Sequence, residues 1–164
     1  MLTLSILCGV PGSGKTTYAR EHLCPYNEYV SRDEIRFQLL GSDDDYFAQE
    51  NIVWGEFVRQ IAAHLNRGQN TVADCTNLTP KARKRLLDAL SILANEPFTI
   101  HYYAWHVPLD ICLARNAQRE GRAKVPQTQV KNMFNFYSPP TYEEDERISI
   151  IFSVDQDGKV VIPS

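Results

Sequence analysis

The sequence predicts an α/β fold, a parallel sheet covered by helices on both faces. Three observations carry that expectation. Short apolar runs rich in β-branched and aromatic residues alternate with longer segments of helical periodicity, as in repeated strand–helix–strand units. The first such run passes through a glycine-rich turn directly into a helix-like segment. The composition, 164 residues with 43% hydrophobic and 23% charged, is that of one ordinary domain, expected to span 1–164 with a single core.

Taken in order, Leu2–Cys8 reads as the first strand; it is too short to cross a membrane and leads to a helix over 15–23. A short strand at 29–30 is followed by a helix over 32–40. The segment 45–66 places Phe47, Ile52, Val53, Phe57, Ile61 and Leu65 at helical spacing, and Arg67-Gly68 supplies a basic last turn and a glycine stop. The acidic triplet Asp43 to Asp45 before it reads as a solvated loop and helix start. Thr71–Asp74 is the third strand. Thr79 as N-cap and Pro80 at the first helical position open the next helix, with Leu86, Leu87, Leu90 and Leu93 as its buried stripe. Phe98–Trp105 and Ile148–Val154 complete the strands, and Asp155-Gln156-Asp157-Gly158 reads as a hairpin turn.

Cys8, Cys24, Cys75 and Cys112 are widely spaced and form no C-x-x-C pair, so neither a zinc site nor a dithiol redox motif is indicated, and a cytoplasmic location is expected. Net charge −3 and pI ≈ 5.8 do not mark the whole molecule as a polyanion binder. Any polyanion must be held by a local patch.

Gly9-Val10-Pro11-Gly12-Ser13-Gly14-Lys15-Thr16 matches G-x-x-x-x-G-K-[ST], the P-loop pattern, and it lies between strand and helix where the mechanism requires it. Backbone N–H groups of such a loop and the following helix N-terminus point at a phosphate, so a nucleoside triphosphate is the expected ligand. Lys15 is then placed to reach the β- and γ-phosphates and Thr16 to ligate Mg²⁺. The loop alone does not separate a kinase from an ATPase or a nucleotide switch.

Three further segments bear on the acceptor. In Ser31-Arg32-Asp33-Glu34-Ile35-Arg36, Asp33 falls near the carboxyl edge of the sheet and can act as a general base, with Arg36 on the same helical face to hold an anionic acceptor. The same two residues also read as an early-turn carboxylate and a surface charge. Asp74, ending the third strand before Cys75-Thr76-Asn77, suits a Walker-B-like role, organising Mg²⁺ or orienting catalytic side chains, while Thr76 and Asn77 can simply shape the turn. Arg115, Arg119, Arg122, Lys124 and Lys131 gather positive charge around Gly121, which suits an arginine-rich lid over roughly 115–126 that neutralises transferred charge. Trp54, Phe57, Phe134, Phe136, Tyr137 and Tyr142 offer stacking surfaces for a base, but helical spacing favours core packing for most of them and none is named a site residue, whereas Lys81, Arg83, Lys84 and Arg85 read equally as part of an acceptor groove or as an exposed helical face.

Together these segments resemble the kinase domain of the bacteriophage-type polynucleotide 5′-hydroxyl kinases, on a P-loop kinase fold. The likeness rests on the loop through Thr17, on Ser31 to Arg36, on Asp74 to Pro80, and on Arg115 through Arg119 to Val125-Pro126. It implies ATP and Mg²⁺ as cofactors and a DNA or RNA 5′-hydroxyl end as acceptor. It further implies that Asp33 is the general base, that Arg36 contacts the acceptor's 3′-phosphate, and that a lid arginine grips the donor. Cys75 separates Asp74 from Thr76, and the lid carries an extra residue near Glu120, so Arg119 and Arg122 compete for one role. The expected ATP-binding set is Gly9, Pro11, Gly12, Ser13, Gly14, Lys15, Thr16, Thr17, Arg119 and Arg122. The expected catalytic set is Lys15, Asp33, Arg36 and Arg119, with Arg36 and Asp74 toward the acceptor and Thr16 and Asp74 toward the metal. A small-molecule kinase, including the zeta-toxin type that phosphorylates a nucleotide sugar, is the alternative enzyme, and a nucleotide-dependent switch the non-enzymatic one.

Overall fold

The computed structural model describes residues 1–41, 45 and 48–162. A six-stranded sheet runs β2-β3-β1-β4-β5-β6, formed by β1 Leu2–Cys8, β2 Glu28–Ser31, β3 Thr71–Asp74, β4 Phe98–Trp105, β5 Ile148–Val154 and β6 Val160–Val161. The first five are parallel, as expected, and β6 pairs antiparallel with β5 at the sheet's edge. The cause is the hairpin at 155–158: the Asp155 side chain accepts from the Asp157 and Lys159 amides, and Gly158 takes φ 76, the left-handed geometry that reverses the chain.

Helices cover both faces. On one face α2 Arg32–Leu39, α3 Glu50–Asn66 and α4 Pro80–Leu93 bury Ile35, Val53, Phe57, Ile61, Leu65, Leu86 and Leu90 against Leu4, Ile6 and Cys8 of β1. On the other, the helical segment after β1, α5 Leu109–Ala117 and α6 Gln127–Phe136 pack Ala19, Leu23, Cys112 and Val130 against Leu7, Val72 and Trp105. The period-two alternation along β1 sends its side chains to the two layers in turn.

Several sequence expectations shift by a turn or less. The first helix is α-helical over Lys15–Tyr18 (α1) and continues as a π-helix over Ala19–Leu23, closed by the Cys24 amide donating to the Ala19 carbonyl. α3 starts at Glu50, after Gln49 at φ 58, rather than at 45; Asp43, Asp44 and Phe47 lie outside the described residues. Ile52 and Leu93, assigned to buried stripes, are 57% and 45% exposed, because Ile52 sits beside the Val53–Phe57–Ile61 row and Leu93 lies in the last turn of α4. The Thr79 cap is as expected, its hydroxyl accepting from the Ala82 amide at 3.1 Å. Among the described residues no helix is long and apolar enough to cross a membrane.

Candidate functional site

The carboxyl ends of β1, β2 and β3 converge, as the register aligning Leu7 and Ser31 with Asp74 shows. Ligand crevices of open parallel sheets lie at this edge. The Gly9 amide donates to the Thr76 carbonyl at 2.9 Å, tying the phosphate loop to the turn after β3. Within the loop Gly12 (φ 83) approaches the Cys112 carbonyl so closely that a Cβ would lie 2.4 Å from its oxygen, and Gly14 takes φ 98. No side chain fits at Gly12 without moving backbone. The Ser13 hydroxyl is buried with no hydrogen-bond partner among the described residues, an unmet polar group inside the cradle. Lys15, only 8% exposed, donates to the Gly9 and Val10 carbonyls at 2.8 and 3.2 Å. Burial pushes its pKa down, and the nearby Asp74 and Asp33 carboxylates oppose that shift.

Thr16 Oγ1 donates to Asp74 Oδ2 at 2.8 Å, and the same oxygen accepts from the Tyr29 hydroxyl. Burial, followed by Asp74, raises the Tyr29 phenol well above its ordinary value, so it stays a donor. A hydroxyl and a carboxylate side by side, both hard oxygen donors, fit Mg²⁺ better than a softer metal.

Opposite this pair, α2 and α3 build a charged wall. Ser31 caps α2 by accepting from the Glu34 amide at 3.2 Å, which fixes the first turn and turns Asp33 toward the cleft. Arg36, 5% exposed, donates to Asp33 and, through Nε, to Glu50 Oε1 at 2.6 Å. Arg32 donates to Glu50 Oε2 at 2.7 Å and to the Cys75 sulfur at 3.7 Å, while its Nε is buried without a partner among the described residues. Burial raises the Glu50 pKa, but its bonds to Arg36 and the charges of Arg36 and Arg32 outweigh that and hold it below the usual carboxylate value. A cavity of about 180 Å³ opens between the walls, lined among others by Pro11, Lys15, Thr16, Asp33, Arg36, Asp74 and Arg119.

The two competing lid arginines separate. Arg119 lines that cavity, close enough for its charge to help lower the Lys15 pKa. Arg122 instead donates to the Gly41 carbonyl at 2.6 Å and to those of Phe37 and Leu40 at 3.3 and 3.4 Å, at the end of α2 and outside the described lining. The lid is short, a 3₁₀ turn over Gly121–Ala123, anchored by Asn116, whose side-chain amide exchanges two bonds with Val125 at 2.6 and 3.0 Å. Arg115 reaches the other way, donating to the Ser13 and Gln156 carbonyls at 3.3 and 2.6 Å. There Ser13, Gly14 and Thr17 line a second cavity of about 330 Å³ with Tyr18, Trp105 and the 155–158 hairpin.

Sequence reasoning missed Glu50, Tyr29 and Arg32. Two arginines one helical turn apart facing a cleft require a buried counter-charge, the one signal that pointed to Glu50. Asn77, left open between site and turn, is buried at φ 47 and donates to the Leu7 carbonyl at 2.9 Å, so it shapes the turn.

Comparison with solved structures shows the same fold in proteins of differing chemistry. A sugar kinase from a Janibacter species superposes with TM-score 0.65 at 17% identity, covering 97% of this chain and 88% of that one. The Pnkp1/Rnl/Hen1 RNA repair complex contains a chain matched with TM-score 0.68 at 21% identity over 82% of this chain and 43% of its own. A fungal RNA kinase gives 0.60 at 14% over 93% and 74%. These likenesses establish a P-loop kinase fold. The model of the AAA domain family matches residues 4–140, and the chain belongs to that family.

Proposed function

We propose that the protein is an ATP-dependent kinase that transfers the γ-phosphoryl group to the 5′-hydroxyl of DNA or RNA. The observation that carries this reading is the Asp33–Arg36–Glu50 wall facing Lys15 and Thr16 across one cavity. A carboxylate held beside an arginine suits an acceptor that presents a hydroxyl to be deprotonated and a neighbouring anion to be gripped. ATP as donor is supported by the family and by the Ser13 hydroxyl of the loop, which has no partner among the described residues. In the reaction the acceptor oxygen forms a bond to the γ-phosphorus as the bond to the leaving ADP oxygen breaks, and the hydroxyl proton passes to Asp33. Lys15 exchanges its bonds to Gly9 and Val10 for phosphate oxygens, Arg36 orients the acceptor, and Arg119 neutralises charge on the transferred group. Mg²⁺, held through Thr16 and Asp74, would supply charge neutralisation at the phosphates.

The RNA kinase neighbours favour a polynucleotide acceptor, and the sugar kinase keeps a small-molecule acceptor in contention. Transfer of labelled γ-phosphate to a 5′-hydroxyl oligonucleotide, beside nucleosides and sugars, separates them. Oligonucleotide labelling that falls about 10²- to 10⁴-fold in Asp33→Ala, with ATP still bound, is the expected result. Labelling of a sugar alone would overturn the acceptor while leaving donor chemistry intact.

A further inference from the structure

Trp54 on α3 lies one helical turn beyond Glu50, on the face that meets the acceptor wall. Unlike Phe57, which is fully buried, Trp54 is half-buried. Its ring is bracketed by cations from two other elements: the Arg32 guanidinium carbon is 5.3 Å from the ring centroid and that of Arg85, on α4, is 4.4 Å away. These two arginines are not equivalent. Arg32 is engaged with Glu50 and Cys75 inside the cleft. Arg85 is exposed, and among the described residues it makes no salt bridge or hydrogen bond, its partner being the Trp54 ring alone. Lys84, its neighbour, is neutralised by Asp88, whereas Lys81, one turn earlier on α4, is exposed and likewise unpaired among the described residues. A cationic strip therefore leaves the acceptor cleft at Arg32, crosses an aromatic ring, and continues to Arg85 and Lys81. An exposed guanidinium laid on an indole is a flat cationic surface on which a nucleobase stacks, with unpaired charge beside it for the backbone phosphate.

We propose that this strip is a subsite for the second nucleotide of a single-stranded polynucleotide acceptor, its base stacked on the Arg85–Trp54 pair and its phosphate facing Arg85 and Lys81. The inference rests on the polynucleotide reading above and adds to it a reason for the enzyme to favour longer acceptors. The strip's continuity with Arg32 sets the occupant: a ligand reaching it from the cleft must be linear, anionic and carry a second ring, which a phosphorylated sugar does not.

The test compares KM for a nucleoside 3′-monophosphate with KM for di- and hexanucleotides bearing a 5′-hydroxyl, in the wild type, in Arg85→Ala and in Trp54→Leu. The wild type should show KM falling about tenfold when the second nucleotide is added. In both variants that drop should largely vanish, read as the ratio of mononucleotide to dinucleotide KM within each variant, which cancels any general loss of stability or activity. A length dependence that survives in both variants overturns the subsite and leaves the polynucleotide kinase reading standing. Phosphorylation of no member of the series overturns that reading and the subsite together. Because Arg85 is exposed and among the described residues meets only the ring, Arg85→Ala keeps the test open even where Trp54→Leu disturbs packing.

Discussion

At the scale of the residue, the acceptor wall depends on one carboxylate. Glu50 holds both Arg32 and Arg36, and Arg36 in turn holds Asp33, so the orientation of the proposed base depends on a group two side chains away. Glu50→Gln removes the carboxylate that Arg32 and Arg36 share and so loosens the hold of Arg36 on Asp33. The expected cost is about 2 kcal/mol of stability, with acceptor KM rising and ATP KM little changed. The pH dependence follows from the direction of the shift. A carboxyl whose pKa is lowered on folding contributes stability above its unfolded value, about 4.3, and that contribution is lost as pH falls through the lower folded value. The gap in Tm between wild type and Glu50→Gln should therefore be widest near neutrality and close in acid; a gap independent of pH would mean that packing, not charge, carries the effect. Asp33 and Arg36 were legible in the sequence because their spacing is local. Glu50 was not, because its pairing with them is set by how α3 lies against α2, which no spacing rule encodes.

At the scale of the element, the 3₁₀ turn Gly121–Ala123 and the end of α2 are joined by Arg122. Its guanidinium meets the carbonyls of Phe37, Leu40 and Gly41 at the C-terminal end of α2, where the positive charge complements the helix dipole. It lies over the Phe37 ring as well, 5.6 Å from the centroid. The two lid arginines thus have different consequences. Arg122→Ala should lower stability by about 1 kcal/mol, a fall in Tm of roughly 2–4 °C for a domain of this size, with faster amide exchange at the end of α2. Arg119→Ala should leave Tm nearly unchanged and lower the turnover number instead. If Arg122→Ala instead behaved like Arg119→Ala, the latch would be wrong and Arg122 would belong to the donor site. The five parallel strands were readable to within a residue or two because β-branched runs and sheet burial coincide, whereas the two-residue β6 is too short to carry such a run. The start of α3 was not: the periodic position Phe47 extends the helical pattern upstream, yet Gln49 at φ 58 precedes the helix, and a non-glycine residue in the left-handed region is set by tertiary packing rather than by propensity.

At the scale of the whole molecule, the site is supported by a polar strut through the core. Arg83 on α4, 1% exposed, grips Glu144 with two bonds at 2.7 and 2.8 Å and the Asn77 carbonyl at 2.8 Å. Asn77 bonds to the end of β1, and next to it the Thr76 carbonyl receives the Gly9 amide. A continuous set of bonds therefore runs from the 3₁₀ turn Tyr142–Glu144, ahead of β5, through α4 to the phosphate loop. The sequence offered Arg83 only as one of four cations on a helical face; that it points inward follows from its position in the same stripe as Leu86, Leu87 and Leu90. Arg83→Ala strands a carboxylate that is largely shielded from water, a loss of about 3–5 kcal/mol and a fall in Tm on the order of 10 °C, with ATP affinity falling alongside because the loop loses its backing. Replacing both partners, Arg83→Met with Glu144→Leu, removes the stranded charge and should recover part of that stability. It should not recover ATP affinity, since Asn77 still lacks its anchor. A double variant restored in both would show that the pair contributes packing volume alone, and a single variant within about 1 kcal/mol of wild type would remove the strut from the account of how the loop is held.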